Sequence, residues 1–376
     1  MAYEIGTLPL ERLVGPATRA TELFARLDER LAHSPVRDGW IERSHFHDAV
    51  AALWVEGELV HLEDLVFHDA EMDQRTPTHE LTRAHAVLRK RRRILSQGRD
   101  WPFSREGLRE LAGRAGIGTG RTLSESDREG EGMPFPETEA GGADEPEDDV
   151  LAQEFAEIDA VLTRSSRLLS GAAHVAPARP RQDDTRLAVL YDEDWDEGAR
   201  LAEWRELMER TRELPLVLRG AVLLDAWTDI EVLQRGDWIG PLLVGALLRQ
   251  GGLCAHHLAC LHLGAQKVPR ERRRARDRTE RLLAWIDVLF ETASFGLKEH
   301  DRLLLARERM GRVLRGRRAN SKLPALVDLV LSRPLVSTGT IQKALKVSRQ
   351  GALDLIGALG LREMTGRGSF RAWGII

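Results

Sequence analysis

The stretch from Leu323 to Ile376 constrains most tightly what this chain can fold into. An apolar run, Leu326, Val327, Val330 and Leu331, has helical period and stops at Ser332-Arg333-Pro334, because proline disfavours helix in the residue before it. Ser337 or Thr338 can cap a second helix with Ile341, Ala344 and Leu345 on its apolar face. Lys346-Val347 is a tight turn, and Ser348 is a suitable N-cap for a third helix that buries Ala352, Leu355, Ile356 and Leu359 and ends at Gly360. The period then changes. Leu361 to Met364 and Ser369 to Trp373 read as two short strands around Thr365-Gly366-Arg367-Gly368, a hairpin signal.

Three helices and a basic-tipped hairpin in that order predict a winged helix-turn-helix. In such a unit the third helix enters the major groove of double-stranded DNA. Arg349 and Gln350 lie at its exposed start beside Ser348, and their side chains suit the acceptor edges of guanine and adenine. Lys343 and Lys346 flank the turn as phosphate contacts, and Arg362, Arg367 and Arg371 fall on the wing. Winged helices also dock proteins, so an interaction module is the competing reading. Acids are few here (Asp328, Asp354 and Glu363), which favours DNA.

The chain has 376 residues, enough for two or three domains, and a net charge of -4, so any affinity for nucleic acid must come from local patches. Two cysteines, Cys254 and Cys260, argue against a disulfide framework and for a reducing cytosol. The start has no basic segment followed by an apolar one, and no apolar run approaches the ~20 residues that span a membrane. A cytoplasmic protein is expected.

Residues 1–118 read as an N-terminal helical region: Thr18 to Leu31, Trp40 to Val55, a helix after Glu56-Gly57, and Thr78 to Leu95. The last of these ends in Arg89-Lys90-Arg91-Arg92-Arg93, read as a solvated face first and a phosphate contact second. Residues 119–149 are rich in Gly, Pro, Ser and acids and cannot bury enough apolar surface to offset ordering entropy, which predicts a disordered acidic linker. Residues 150–320 predict a helical core: Leu151 to Leu169, a strand-like Leu187 to Tyr191, then helices over Trp195 to Thr211, Leu216 to Ile230, Asp237 to Gln250 and Cys254 to Leu263. Arg270 to Ser294 and Lys298 to Arg315 complete it, with a break at Gly296. Trp204, Trp227, Trp238 and Trp285 are expected inside. Residues 321–376 form the winged helix-turn-helix.

The run from Leu214 to Leu263, with Trp238-Ile239-Gly240-Pro241 leading its second helix, resembles the Fic family. That resemblance implies a helical scaffold around a phosphate-binding loop, often with a C-terminal winged helix. The family motif HPFxxGNGRxxR does not carry over. Ile230 or Glu231 stands where the histidine base belongs, only Gly236 remains of the anion cradle, and Trp238 stands near the phosphate arginine. Without base and cradle, nucleotidyl transfer lacks its proton acceptor and its phosphate site, so a degenerate, non-catalytic scaffold is expected. The segments Val268 to Thr279, Gly296 to Asp301 and Leu361 to Trp373 resemble a family of uncharacterised alphaproteobacterial proteins, often plasmid-borne, with a C-terminal helix-turn-helix. This resemblance implies DNA binding.

Seven arginines lie between Arg270 and Arg281, read as one long helix. Either Glu271, Asp277 and Glu280 pair with them, or they form a second surface for the DNA backbone, with Arg272, Arg273 and Arg276 as candidates. Arg315, Arg317 and Arg318, beside the reading head, are candidates for the same role. Cys254, His257 and Cys260 share a helical spacing, but one helix cannot present four ligands as a tetrahedron, so core thiols and satisfied histidines are expected rather than zinc. Glu63, Asp64, His68 and Asp69 match no catalytic or metal motif. The expectation is a mainly α protein that binds DNA as a homodimer, a regulator or plasmid factor, with no catalytic residue, metal or cofactor. The alternatives are a divergent Fic-like nucleotide binder and a protein-docking scaffold.

Overall fold

The computed structural model describes residues 3–72, 76–112, 195–315, 321–365 and 371–375. The acidic segment 119–149, the helix expected over Leu151 to Leu169 and the strand-like Leu187 to Tyr191 lie outside these residues, as do Arg317, Arg318 and Arg367. Among the described residues the chain is mainly α, with one small sheet near its C-terminus. The N-terminal helices are α1 (Leu10–Ala32), α2 (Arg37–Glu56), α3 (Leu62–Asp69), α4 (His79–Ser96) and α5 (Arg105–Leu111). Thr78 caps α4 by accepting a hydrogen bond from the Leu81 amide. After residue 195 come α6 (Glu197–Arg210), α7 (Leu216–Ile230), α8 (Ile239–Gln250), α9 (Leu261–Lys267), the single turn α10 (Arg270–Arg273) and α11 (Arg278–Leu314). No described helix is long and apolar enough to cross a membrane.

The long helix α11 is the axis of the packing, with α1, α7 and α9 against it. Helix α7 is apolar on nearly every side and is buried accordingly. Its one buried acid, Asp225, accepts from the Tyr3 hydroxyl (2.7 Å) and from Arg281 (2.7 Å), tying the N-terminus to α7 and α11. Burial raises the Tyr3 phenol above its ordinary range, and the neighbouring Asp225 carboxylate adds to this. All four tryptophans expected inside are buried.

Two expectations about helix limits do not hold. Gly296 does not break a helix, since α11 runs through it for 37 residues. A Cβ at that position would lie 2.5 Å from Leu27 and 3.2 Å from Trp40. Gly296 therefore serves a close approach between helices, and the Trp40 indole donates to its carbonyl at 3.0 Å. Cys254 to Leu263 is likewise not one helix. It is irregular up to Cys260, and α9 begins at Leu261.

That irregular segment is held by charge from the N-terminal helices. Asp28 on α1 accepts from the His256 amide (2.8 Å) and lies against His256 Nδ1 (2.9 Å) and His257 Nδ1 (3.1 Å). Burial alone would raise the Asp28 carboxyl, but its bonds from His257 and His256 outweigh that and hold it at about 2. Deeper, the fully buried Arg91 of α4 pairs with the fully buried Asp48 of α2 and donates to the carbonyls of Leu258 (3.1 Å) and Ala259 (3.3 Å). Asp48 also accepts from the Leu263 amide (3.1 Å) and lies 2.9 Å from His262 Nδ1. The histidines near the cysteines are thus partnered by carboxylates, and both thiols are buried. Burial pushes the Cys260 thiol up to about 12.

Candidate nucleic-acid interface

The C-terminal unit assembles from α12 (Leu323–Ser332), β1 (Val336–Ser337), α13 (Thr338–Leu345), α14 (Arg349–Leu359), β2 (Arg362–Glu363) and β3 (Ala372–Gly374). Its local signals act as the sequence predicts. The Ser337 hydroxyl accepts from the Thr340 amide (3.0 Å) and the Ser348 hydroxyl from the Gly351 amide (3.1 Å), so each serine starts its helix. Lys346 adopts the left-handed conformation (φ 52°) at the turn between α13 and α14, and Gly360 does so (φ 62°) at the end of α14. Strand β1 has no counterpart in the sequence reading. It pairs antiparallel with β3 (Val336 opposite Trp373), and β3 pairs with β2 (Arg362 opposite Gly374), in the order β1-β3-β2. A two-residue strand carries too little periodicity to be seen beforehand.

Helix α14 turns Ala352, Ile356 and Leu359 inward and leaves Gln350, Asp354 and Gly357 outward. Arg349 is exposed at its first position, and Lys343 and Lys346 are exposed on α13 and its turn. On the wing, Arg362 is exposed. Arg371 is engaged by Glu363 across the β2–β3 ladder (Nε to carboxylate 2.8 Å) and lies 5.3 Å over the Trp373 ring. The bond from Arg371 holds the Glu363 carboxyl below its ordinary range. Among the described residues, Lys343, Lys346, Arg349 and Arg362 form no ion pair.

This unit does not hang from a free linker. Leu27, Leu31 and Trp40 of α1 and α2 and Leu303, Ala306 and Met310 of α11 share one hydrophobic cluster with Val330, Ile341, Ile356 and Trp373. Between them sits Glu299 of α11, accepting from Arg43 (3.3 Å) and Arg302 (2.7 Å). Arg43 reaches on to the carbonyls of Val330 (3.4 Å) and Arg333 (2.5 Å), and Arg302 to that of Ile375 (3.0 Å). Burial would raise Glu299, yet the two arginines keep it below the usual carboxylate range. Burial also lowers Arg43 to about 10. The orientation of α14 on the body is therefore set by packing and by buried ion pairs.

The other basic segments behave differently from the expectations. The arginines from 270 to 281 do not share one helix, because α10 ends at Arg273 and α11 starts only at Arg278. Arg273 is buried, donates to the Val268 carbonyl (3.3 Å) and stacks 5.5 Å over Trp285, so it is not a backbone contact for DNA. Arg272 pairs at the surface with Asp287 (2.9 Å), while Arg276 and Arg315 are exposed. The cluster Arg89 to Arg93 is a solvated face only in part, since Arg89 and Arg93 are exposed and the rest are drawn inward. Arg91 is in the core, Arg92 pairs with Glu42 (3.0 Å) and Asp69 (2.7 Å), and Arg93 pairs with Glu110 (3.0 Å). Asp69 thus belongs to an ion-pair network with Arg92 and His85.

Comparisons with known proteins match two parts of the chain. Residues 189–315 match a family described as "Protein of unknown function (DUF1612)", and residues 323–376 match one described as "HTH DNA binding domain". Over 391 aligned positions, covering 100% of both chains, the sequence is 47% identical to an uncharacterised protein, y4cF, of Sinorhizobium fredii (strain NBRC 101917 / NGR234).

Proposed function

The chain belongs to one family with that Sinorhizobium fredii protein and carries an HTH DNA binding domain at its C-terminus; on this premise we propose that it is a sequence-specific DNA-binding protein that regulates transcription or maintains a mobile element. The observation that carries the reading is the contrast in partners. Among the described residues Lys343, Lys346, Arg349 and Arg362 are exposed around α14 and form no ion pair, whereas several arginines of the body, Arg91 and Arg281 among them, are held by carboxylates and carbonyls. Cations left in water can exchange their counterions for phosphates, the main source of affinity for a duplex. Arg349 and Gln350 would read base edges, with Ser348, Lys343, Lys346, Arg362 and the wing residues Arg367 and Arg371 along the backbone. Arg276, Arg315, Arg317 and Arg318 are further candidates for phosphate. A homodimer on a palindromic site in the cytoplasm completes the proposal.

We assign no catalytic step. Where the Fic-family resemblance would need a base and an anion cradle, Val232, Leu233 and Trp238 are packed into the core. The test is binding of the full-length protein to its own upstream DNA and to random DNA across a salt series, repeated with Arg349→Ala. The substitution is expected to cost about 1–3 kcal/mol on the preferred duplex and to relax preference at one base pair. Unchanged affinity and preference would remove α14 from the interface.

A further inference from the structure

Gln350 and Asp354 lie four residues apart on the outward stripe of α14, opposite the buried Ala352 and Ile356. Gln350 Nε2 donates to Asp354 Oδ1 at 2.9 Å. An ionised carboxylate has no hydrogen to give, so the atom facing it must be the amide nitrogen, and the orientation of the amide follows from chemistry. One of the two amide hydrogens is committed to Asp354. The outer edge then shows Oε1 as acceptor beside the second N–H as donor.

We infer that Asp354 is a positioning residue that locks Gln350 to read adenine. The inference rests on the DNA-reading role proposed above. Adenine shows a donor (N6–H) beside an acceptor (N7) in the major groove, which matches the locked edge of Gln350. Guanine shows two acceptors there, and the locked edge would set Oε1 against one of them. An unlocked amide can rotate and offer its nitrogen to guanine, so the lock supplies the discrimination. Its bond is weak in water but strengthens once the groove excludes solvent. Gly357, one turn further along the stripe, has nothing within 4 Å of where a Cβ would stand, so the helix backbone can come close to the bases. Asp354 has a cost as well, since its negative charge opposes phosphates and weakens binding to every duplex alike. An ordinary Gln–Asp surface pair would only steady the helix slightly and would leave base preference alone.

The experiment selects duplexes from a randomised library with the full-length protein. It then titrates the enriched duplex, single-base variants of it and random DNA. The position read by Gln350 is the one whose preference Gln350→Ala abolishes. There the wild type is expected to favour adenine over guanine by about tenfold. With Asp354→Ala that ratio falls below about threefold while affinity for random DNA rises about two- to fivefold, a pair of opposite changes that damage to the fold cannot produce. Asp354→Asn keeps an acceptor oxygen and loses the charge, so it should retain the preference for adenine and share the gain on random DNA. Retention of the full ratio in Asp354→Ala, or a position that prefers a base other than adenine, overturns the lock alone. Failure of the wild type to enrich any sequence overturns the DNA-reading role itself, and is seen before Asp354 is touched.

Discussion

Arg91 and Arg349 both sit in basic, helix-forming sequence, and the molecule uses them in opposite ways. Arg91 has no exposed surface, faces Asp48 and takes carbonyls from a segment 167 and 168 residues further along. Arg349 has no ion-pair partner among the described residues and stands in water at the start of α14. A buried cation needs its charge balanced, and the body meets that need at Nη1 and Nη2 of Arg91 with an acid and carbonyls brought from distant parts of the chain, leaving Nε without a hydrogen bond. The C-terminal unit brings few acids, and among its described cations Arg371 is paired with Glu363 while Lys343, Lys346, Arg349 and Arg362 form no ion pair. Basic clustering therefore says little by itself. What matters is whether the fold delivers partners to it.

The contrast can be broken most forcefully at Arg91. Arg91→Met leaves Asp48 as a buried carboxylate without its cation and should cost about 3–5 kcal/mol in urea unfolding. A cost under about 1 kcal/mol would mean that the buried network is not what holds α2, α4 and the segment before α9 together. Next in size is the effect of acid on the same network. His45, only 2% exposed, is held neutral: burial first, then Arg91 and Arg92, push it well below its ordinary 6.5. Below that pH the unfolded chain takes up a proton that the folded chain refuses. The stability is therefore present above about pH 6.5 and is lost as pH falls toward the folded value, by up to about 1.4 kcal/mol per pH unit. Asp28, held at about 2, adds a loss of the same sign between about pH 4 and pH 2. His45→Gln should flatten the upper part of a denaturant-midpoint profile, and an unaltered slope there would assign it to other groups. The smallest effect belongs to the free side of the comparison. Lys343→Ala should leave the melting temperature alone and reduce the salt slope of DNA binding by about 1. A lower melting temperature with an unchanged slope would make Lys343 a packed residue like those of the body.

The first positions of α14 were legible in advance because caps, turns and apolar stripes act over a few residues. Ser337, Ser348, Lys346 and Gly360 each do what their type allows where the chain places them. Helix α7 likewise has the limits expected from its apolar run, Leu216 to Ile230. The Gln350–Asp354 pair was within reach too, since its i, i+4 spacing stands in the sequence, but which stripe faces outward depends on what Ala352 and Ile356 pack against.

Other features could be settled only by the folded chain. Glycine is both a good helix end and the best residue for close helix packing. At Gly296 the choice was made by Leu27 and Trp40, more than 250 residues earlier in the chain. Arg273 could as well have faced solvent as the Trp285 ring. The sequence by itself determined the local units: which residues start, line and stop each helix of the C-terminal unit, and which apolar faces need covering. Tertiary structure alone decided which cations are consumed and which are left free. Local rules act through neighbours in the chain, whereas a charge is satisfied by whichever group packing brings within about 3 Å.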